Sequence, residues 1–547
     1  MRDFWDKFNI IDIAYFYISV IRILFFRRYR ISAFLLGCFT VFALPPINCL
    51  ILCFFTFPLL VLLLDDLYKE SLLGRRKCSW FAALTGWQFG FGYFSAGLWW
   101  LGKALLLSGV FYGAIPFSVI GLTAFLALFY AFACYLAFLL WDSSYRRIIA
   151  FAFSFALAEW LRAWMFTGFP WNAIAYTAMP CPFLMQPVVI FGIYGMNYLS
   201  VVLYASAVLF LKKEDWNIGF SVLFLLCLGD ILFGLYRFKA RPFLERSMVG
   251  IRIVQPFLHD ANDDVAMRLY NFERLLSLTK RAPLRGAKPS DFIIWPETSV
   301  PYILEDVPLL LRRIGNALQE KQLAFIGTIR VEKRKEDQKQ YFFNSLRIIN
   351  SKSVILSSVD KVHLVPFGEY LPFASFFQSL GFGWLLQLSG LYTPGAKKVL
   401  IPLKDGPIIW PLICYESIFP LEEIYEGPQP DLLLNITNDI WLGETPGPWQ
   451  HFYQARLRAV EEGLFLVRVA NNGISAVINP YGKITAMIGY NKSGFIDIDI
   501  PKKKSKRLKV RKVLIFIILM SISFFMLTIS KCLFFFQKRF VSLEKEF

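Results

Sequence analysis

Two hydrophobic patterns divide this chain near residue 240. Before that point apolar residues run on for most of a bilayer's width at a time, broken by short polar clusters. A helix needs about 20 apolar residues to cross a membrane. Residues 31–64 are too long for one crossing, and "ALPPIN" (43–48) interrupts them with Pro45, Pro46 and Asn48, all turn formers. The pattern predicts spans at 31–46, 48–64, 79–101, 116–141, 146–165, 185–210 and 216–236, and an eighth at 513–530. Asp12 and Arg22 interrupt residues 10–26, which read as an interfacial helix within an N-terminal segment, 1–30.

From residue 248 the apolar runs shorten and turn signals separate them. "MVGIRIVQ", "DFIIWPE", "LAFIGTI", "SLRIIN", "SVILSSV", "PIIWPLICYE", "DLLLNITND", "LFLVRVANN" and "SAVINP" predict strands. "NFERLLSLTKRA", "VPLLLRRIGNALQEKQ" and "HFYQARLRAVEEG" predict amphipathic helices. Strands apolar on both faces, alternating with helices, predict a layered α/β sandwich. The expected organisation is a segment 1–30, a membrane domain 31–240 with seven spans, an α/β domain 248–500, and a basic juxtamembrane segment, last span and tail over 501–547.

Composition agrees with a membrane protein. Of the 547 residues, 56% are hydrophobic, too many for an ordinary soluble chain. The net charge of +18 needs no nucleic acid to explain it. Lys and Arg gather at helix ends beside anionic lipid, and no aromatic–basic nucleic-acid motif is present. Arg27, Arg28, Arg30, Arg75, Arg76, Lys77, Arg146, Arg147, Lys212 and Lys213 fall in alternate loops, and the intervening loops are nearly bare. Positive loops stay cytoplasmic, so residues 248–500 are expected on the outer side. "KKKSKRLKVRK" (502–512) would then lie outside too, where it reads as a lipid-headgroup anchor.

Of nine cysteines, Cys414 alone lies in the α/β stretch, so that stretch holds no internal disulfide. There is no CxxC and no His/Cys/carboxylate cluster with ligand spacing, so no metal or other cofactor is expected. Three predicted strand ends carry reactive groups: Glu297, Lys361 with Glu369 eight residues on, and Cys414 with Glu416. Strand ends of an α/β sheet can converge on one cleft. There a carboxylate takes the thiol proton, a lysine stabilises thiolate and oxyanion, the Tyr415 N–H can add a donor, and attack on a carbonyl gives a thioester. Each residue also has a plain structural reading: a small buried hydrophobe, a helix cap, a surface lysine.

The joint arrangement resembles a known family. "WPE", "DKVHLVPFGEYLP" and "LICYES" resemble the Glu–Lys–Cys motifs of the nitrilase, or carbon–nitrogen hydrolase, superfamily. "HLVPFGEY", "EWLRAWMFTGFPWN" (159–172) and "NITNDIWLGETPGPWQHFYQARLRAVEEGLFLVRVANNGISA" (435–476) resemble the bacterial inner-membrane apolipoprotein N-acyltransferases. The resemblance implies a multi-pass membrane domain of about eight spans and a nitrilase-like αββα sandwich facing the periplasm. It implies transfer of a fatty acyl chain from a phospholipid, through a cysteine thioester, to the amino group of diacylglyceryl-cysteine on an apolipoprotein. Glu297 would be the base, Lys361 the oxyanion stabiliser and Cys414 the nucleophile. Glu369, Tyr415 and Glu416 would support them. A monomer is expected, with lipid and lipoprotein as partners. Family members often carry a Trp just after the first strand of the soluble domain, and residues 255–269 have none.

Glu159 and Arg162 sit three apart on one span, as a structural pair or a substrate contact. "FTGFPWN" reads as an interfacial loop. Residues 373–395 read as a lid touching acyl chains or as a packed helix-loop. Three alternatives compete: an amidase using the same triad with water, a Cys–His hydrolase drawing on His259, His363 or His451, and an inert membrane scaffold.

Overall fold

The computed structural model describes residues 29–74, 78–103, 115–239, 248–258, 264–283, 289–334, 339–379, 381, 392–404, 406–421, 429–501 and 510–543. The segment 10–26, most of the basic cluster 502–512, much of 373–395 and part of 255–269 lie outside them.

Among the described residues, the long helices before the α/β part are α1 (Tyr29–Thr40), α2 (Cys53–Leu72), α3 (Cys78–Leu98), α4 (Ile115–Leu139), α5 (Arg146–Trp164), α6 (Val188–Ala205) and α7 (Trp216–Lys239), with a short α-helical turn, Ala175–Ala178, between α5 and α6. Each overlaps an expected span, and among the described residues six helical segments are long and apolar enough to cross a membrane, so the expected eight are not all confirmed: Leu50–Leu72, Val119–Leu139, Arg146–Thr167, Val188–Leu211, Lys213–Lys239 and Lys512–Ile529. The apolar helix Ile31–Ala43 is too short, and α3, interrupted by glycines and polar residues, is long enough but insufficiently apolar. The second helix also runs beyond the expected limit of residue 64. Asp65 lies inside it because the Trp141 indole donates to Asp65 at 2.9 Å and the Arg147 guanidinium stands 3.4 Å away.

The α/β part has two sheets. The first has strand order β13–β1–β2–β4–β5–β6 with β3 on β4. Its strands are β1 (Met248–Gln255), β2 (Phe292–Ile294), β3 (Val300–Ile303), β4 (Leu323–Lys333), β5 (Gln340–Asn350), β6 (Ile355–Asp360) and β13 (Gly494–Pro501). The second runs β12–β11–β10–β9–β8–β7, with β7 (Ile401–Pro402), β8 (Ile408–Ile413), β9 (Leu432–Thr437), β10 (Phe465–Ala470), β11 (Ser475–Ile478) and β12 (Ile484–Ile488). Strand periodicity assigns the faces. Ile251, Ile253, Phe292 and Ile294 point inward and meet Ile413, Leu434, Ile436 and Val467 of the other sheet. Ile293 and Val254 point outward against α8 (Val265–Lys280) and α9 (Pro308–Gly315). Trp410, Leu412 and Leu466 cover the opposite outer face with α10 (Gly447–Glu462). The result is helix, sheet, sheet, helix: the expected αββα sandwich. The last helix, α11 (Lys512–Leu543), follows it.

The two halves share a core. Tyr415, Ile418, Phe419, Tyr453, Leu457 and Val460 of the sandwich are buried in the same cluster as the bundle residues Tyr93, Trp171 and Tyr176. Polar ties reinforce it. Gln450 Oε1 accepts from the Trp100 and Trp171 indoles at 3.2 and 3.0 Å, and Glu461 Oε1 accepts from Ile193 N at 3.0 Å.

Candidate active site

Strands β8 and β9 are parallel neighbours in the second sheet, and Asn438, just past the end of β9, donates its backbone N–H to Glu297, which follows β2 of the first sheet. β8 stops at Ile413, and Cys414 opens a short 3₁₀ turn, Cys414–Ile418, with φ +52°. A non-glycine residue there costs roughly 1–3 kcal/mol and persists only where its surroundings enforce it. Two groups do so. Ser417 Oγ donates to Cys414 O at 3.0 Å, and Ile413 N donates to Glu416 Oε2 at 2.8 Å. The other Glu416 oxygen accepts from Val362 N at 3.0 Å and His363 N at 3.2 Å. One buried carboxylate thus joins the Cys414 turn to the loop that starts at Lys361.

Lys361 follows β6 directly, its backbone N donating to Asn344 O on β5. The ammonium is buried between two carboxylates, 2.9 Å from Glu369 Oε1 and 3.3 Å from Glu297 Oε1. Glu297 follows β2 on the "WP" turn. Gly327 of β4 lies against that turn, and a Cβ there would stand 2.3 Å from Pro296 O and 2.5 Å from the Glu297 Cα, so the strand must be bare at this point. Asn344 Nδ2 donates to both Glu297 Oε1 (2.7 Å) and Glu369 Oε1 (3.0 Å). Asn438 N donates to Glu297 Oε2, and Val365 N to Glu369 Oε2, each at 2.8 Å.

Burial alone would lower the Lys361 pKa, but Glu369, Glu297 and Cys414 raise it well above the ordinary value, so the ammonium holds its charge. Burial pushes the Cys414 thiol up strongly, the Glu297 charge adds to this, and Lys361 opposes it. The resting sulfur is therefore a thiol in the field of a carboxylate and an ammonium together. Burial and the charges of Glu369 and Glu297 push the Tyr392 phenol up to about 12, keeping it protonated beside the cluster.

All six residues singled out from the sequence fall in this region. Lys361 contacts both Glu297 and Glu369, Cys414 shares their electrostatic field, Glu416 braces the two loops, and Tyr415 turns away to donate from its hydroxyl to Gly168 O at 3.2 Å. Sequence reasoning passed over Asn344, Asp439, Arg468 and Tyr392. His451 is buried, its ring packed near Trp171, with Nδ1 2.9 Å from Asp439 Oδ1 and Nε2 3.2 Å from the Cys414 carbonyl oxygen. Arg468 Nη2 donates to Asp439 Oδ2 at 2.8 Å. Burial would raise the Asp439 pKa, yet Arg468 and His451 hold it far below the usual carboxylate range.

Glu159 and Arg162 form a buried ion pair at 2.6 Å. Tyr130 OH donates to Glu159 at 2.6 Å, and Arg162 donates to the carbonyls of Phe169 and, at 2.9 Å, Trp171. The pair anchors the loop that follows α5.

An αββα sandwich with a thiol at a positive-φ strand end, in the electrostatic field of a buried lysine held by two carboxylates, fits the carbon–nitrogen hydrolase class of enzymes, here packed onto an apolar helical bundle. Sequence comparison agrees. The carbon-nitrogen hydrolase domain matches residues 256–509, and the apolipoprotein N-acyltransferase N-terminal domain matches residues 36–206. The chain is 45% identical over 481 residues to an apolipoprotein N-acyltransferase of Brucella melitensis biotype 1, covering 87% of this chain and 90% of the relative. It is 42% identical over 509 residues to that of Rhizobium rhizogenes, covering 92% and 95%. The chain belongs to the apolipoprotein N-acyltransferase family; it is a membrane-embedded N-acyltransferase.

Proposed function

We propose that this enzyme moves a fatty acyl chain from a phospholipid to the α-amino group of the diacylglyceryl-cysteine that begins an apolipoprotein, with Cys414 as acyl carrier. Glu297 takes the Cys414 proton as the sulfur attacks the ester carbonyl. The C–S bond forms, the carbonyl oxygen becomes an oxyanion beside Lys361, and the ester C–O bond breaks. The departing alkoxide takes the proton from Glu297 and leaves as lysophospholipid. In the second half the acceptor amine attacks the thioester, Glu297 takes the amine proton, the C–N bond forms, the C–S bond breaks, and the proton returns to sulfur. Glu369 holds Lys361; Tyr415 and Glu416 hold the loops.

The observation that carries this reading is the contact of Lys361 with Glu297 and Glu369 in a cluster whose charges the Cys414 thiol senses, in a sandwich whose core is continuous with an apolar bundle. Lipid substrates account for that continuity. We assign residues 31–240 and the last helix to the bacterial inner membrane and residues 248–500 to its periplasmic face, on the alternation of basic loops. The test is intact mass of the purified protein after incubation with a diacyl phospholipid. A long-chain acyl addition on Cys414, absent from Cys414→Ser and discharged by a diacylglyceryl-cysteine peptide, supports the transfer. A small acyl addition discharged by water alone would instead support an amidase.

A further inference from the structure

Two hydrogen bonds link the bundle to the catalytic loops, and they end on adjacent carbonyls. His363 Nε2 lies 2.9 Å from Thr167 O. A carbonyl oxygen only accepts, so Nε2 carries the proton and donates. Tyr415 OH donates to Gly168 O at 3.2 Å. His363 stands two residues after Lys361, and Tyr415 directly follows Cys414. The His363 ring also stacks on Phe419, at the end of the Cys414 turn, with centroids 3.9 Å apart.

An unusual backbone aims those carbonyls. Phe166, Thr167 and Gly168 all have positive φ, at 52°, 82° and 79°. At Gly168 a Cβ would stand 2.2 Å from Ala163 O. The Arg162 guanidinium, paired with Glu159, holds the loop from the bundle side through the carbonyls of Phe169 and Trp171. On the outer side Trp164, Met165 and Phe166 stand half exposed, an apolar group suited to the bilayer interface.

We propose that His363 is a positioning residue for acyl transfer. Its Nε2–H bond to the Thr167 carbonyl keeps the Lys361 loop in register with the Cys414 turn, so the loop after α5 sets the spacing of ammonium and thiol. This rests on Cys414 being the acyl carrier. The Nε2 atom of His363, protonated and directed at a backbone carbonyl of the bundle, cannot take the thiol proton.

Three roles for His363 predict three patterns. A base is lost in every substitution. A packing group survives as Phe and fails as Gln. A donor survives as Gln, whose amide can reach the carbonyl, and fails as Phe, which keeps the stack on Phe419. The experiment follows thioester formation on Cys414 by intact mass, in full-length detergent-solubilised protein over a range of diacyl phospholipid concentrations, with thermal unfolding in parallel. His363→Gln is expected within about threefold of wild type. His363→Phe is expected to slow thioester formation at saturating lipid by about tenfold or more, as displaced reacting groups do. Its half-saturating lipid concentration is expected to stay unchanged, and its unfolding midpoint to fall by no more than about 2–4 °C, the loss of one hydrogen bond. Wild-type rates in His363→Phe, equal losses in both variants, or a loss in His363→Phe accompanied by a larger fall of the midpoint overturn the inference. A wild-type chain that forms no Cys414 thioester overturns the acyl-carrier reading itself, and this inference with it.

Discussion

Replacing Glu416 with Gln tests whether one carboxylate holds the two catalytic loops together. Glu416 accepts three backbone N–H groups: Ile413 at 2.8 Å with one oxygen, Val362 and His363 at 3.0 and 3.2 Å with the other. Glutamine has one acceptor oxygen. If that oxygen keeps Val362 and His363, the amide nitrogen faces the Ile413 N–H, donor against donor. A hydrogen bond to a charged group contributes about 1.5–3 kcal/mol, and the two that remain lose the charge that strengthened them. A total destabilisation of about 2–4 kcal/mol follows. For a domain of this size each kcal/mol lowers the unfolding midpoint by about 2–4 °C, so a fall of about 4–16 °C is expected. The catalytic effect is separate: a shift of about 1 Å between reacting groups slows a reaction about 10²-fold. Thermal unfolding and the rate of thioester formation, measured on the same preparation, report the two. A variant with both wild-type midpoint and wild-type rate would refute the bracing role.

Removing the ammonium in Lys361→Met should slow thioester formation about 10²–10³-fold. It should also destabilise the fold by about 3–5 kcal/mol, because Glu297 and Glu369 are left buried without their cation; a stable, active variant contradicts both assignments. In Glu297→Gln two rates should move in opposite directions. Burial and then the Glu297 charge raise the Cys414 pKa, so removing that charge increases the thiolate fraction at every pH below it. Alkylation by iodoacetamide at pH 8 should therefore speed up while acyl transfer slows, and parallel losses would refute the electrostatic account. For Asp439 the folded pKa is depressed, so its stabilising contribution is present above the unfolded value of about 3.9 and fades as pH falls below it. Asp439→Asn should lower the unfolding midpoint at pH 6 and narrow the difference from wild type by pH 3; a gap that stays constant with pH argues against the ion pair with Arg468.

The strands that deliver the site were legible because their apolar runs end abruptly in polar residues. β1 was expected at 248–255 and forms there. β13 was missed although "FIDIDI" alternates cleanly, and it pairs antiparallel with β1 as an edge strand. The helix expected at 307–322 ends at Gly315, whose missing Cβ leaves room for Ser353 Oγ, 2.2 Å from where that carbon would lie. That contact joins residues far apart in sequence and has no local signature. The same holds for Asn344, one polar residue in β5 that reaches Glu297 and Glu369 only once the sheet is formed. Hydropathy marked where the long apolar helices lie and set the end of the second too early, because it cannot see that Trp141 and Arg147 satisfy Asp65.

Glu369, read from the sequence only as a supporting residue, gains a reason from charge. Glu297, Glu369 and Lys361 together carry a net charge of −1 while the thiol is protonated. Lys361 lies nearer to Glu369, at 2.9 Å, than to Glu297, at 3.3 Å. On the proposed roles, proton transfer from Cys414 to Glu297 leaves Glu369 and Lys361 as a neutral pair and places the −1 on sulfur, then on the oxyanion. The site's total charge never changes; the charge only moves, and it moves towards a fixed cation. In a low-dielectric pocket a change in total charge is far costlier than a displacement of it, and a cation already in position needs no reorganisation at the transition state. With Glu297 alone, its protonation would leave Lys361 only the sulfur or oxyanion charge to hold it. The second carboxylate keeps the ammonium fixed throughout the cycle. Glu369→Gln should therefore impair thioester formation even though Glu297, Lys361 and Cys414 all remain.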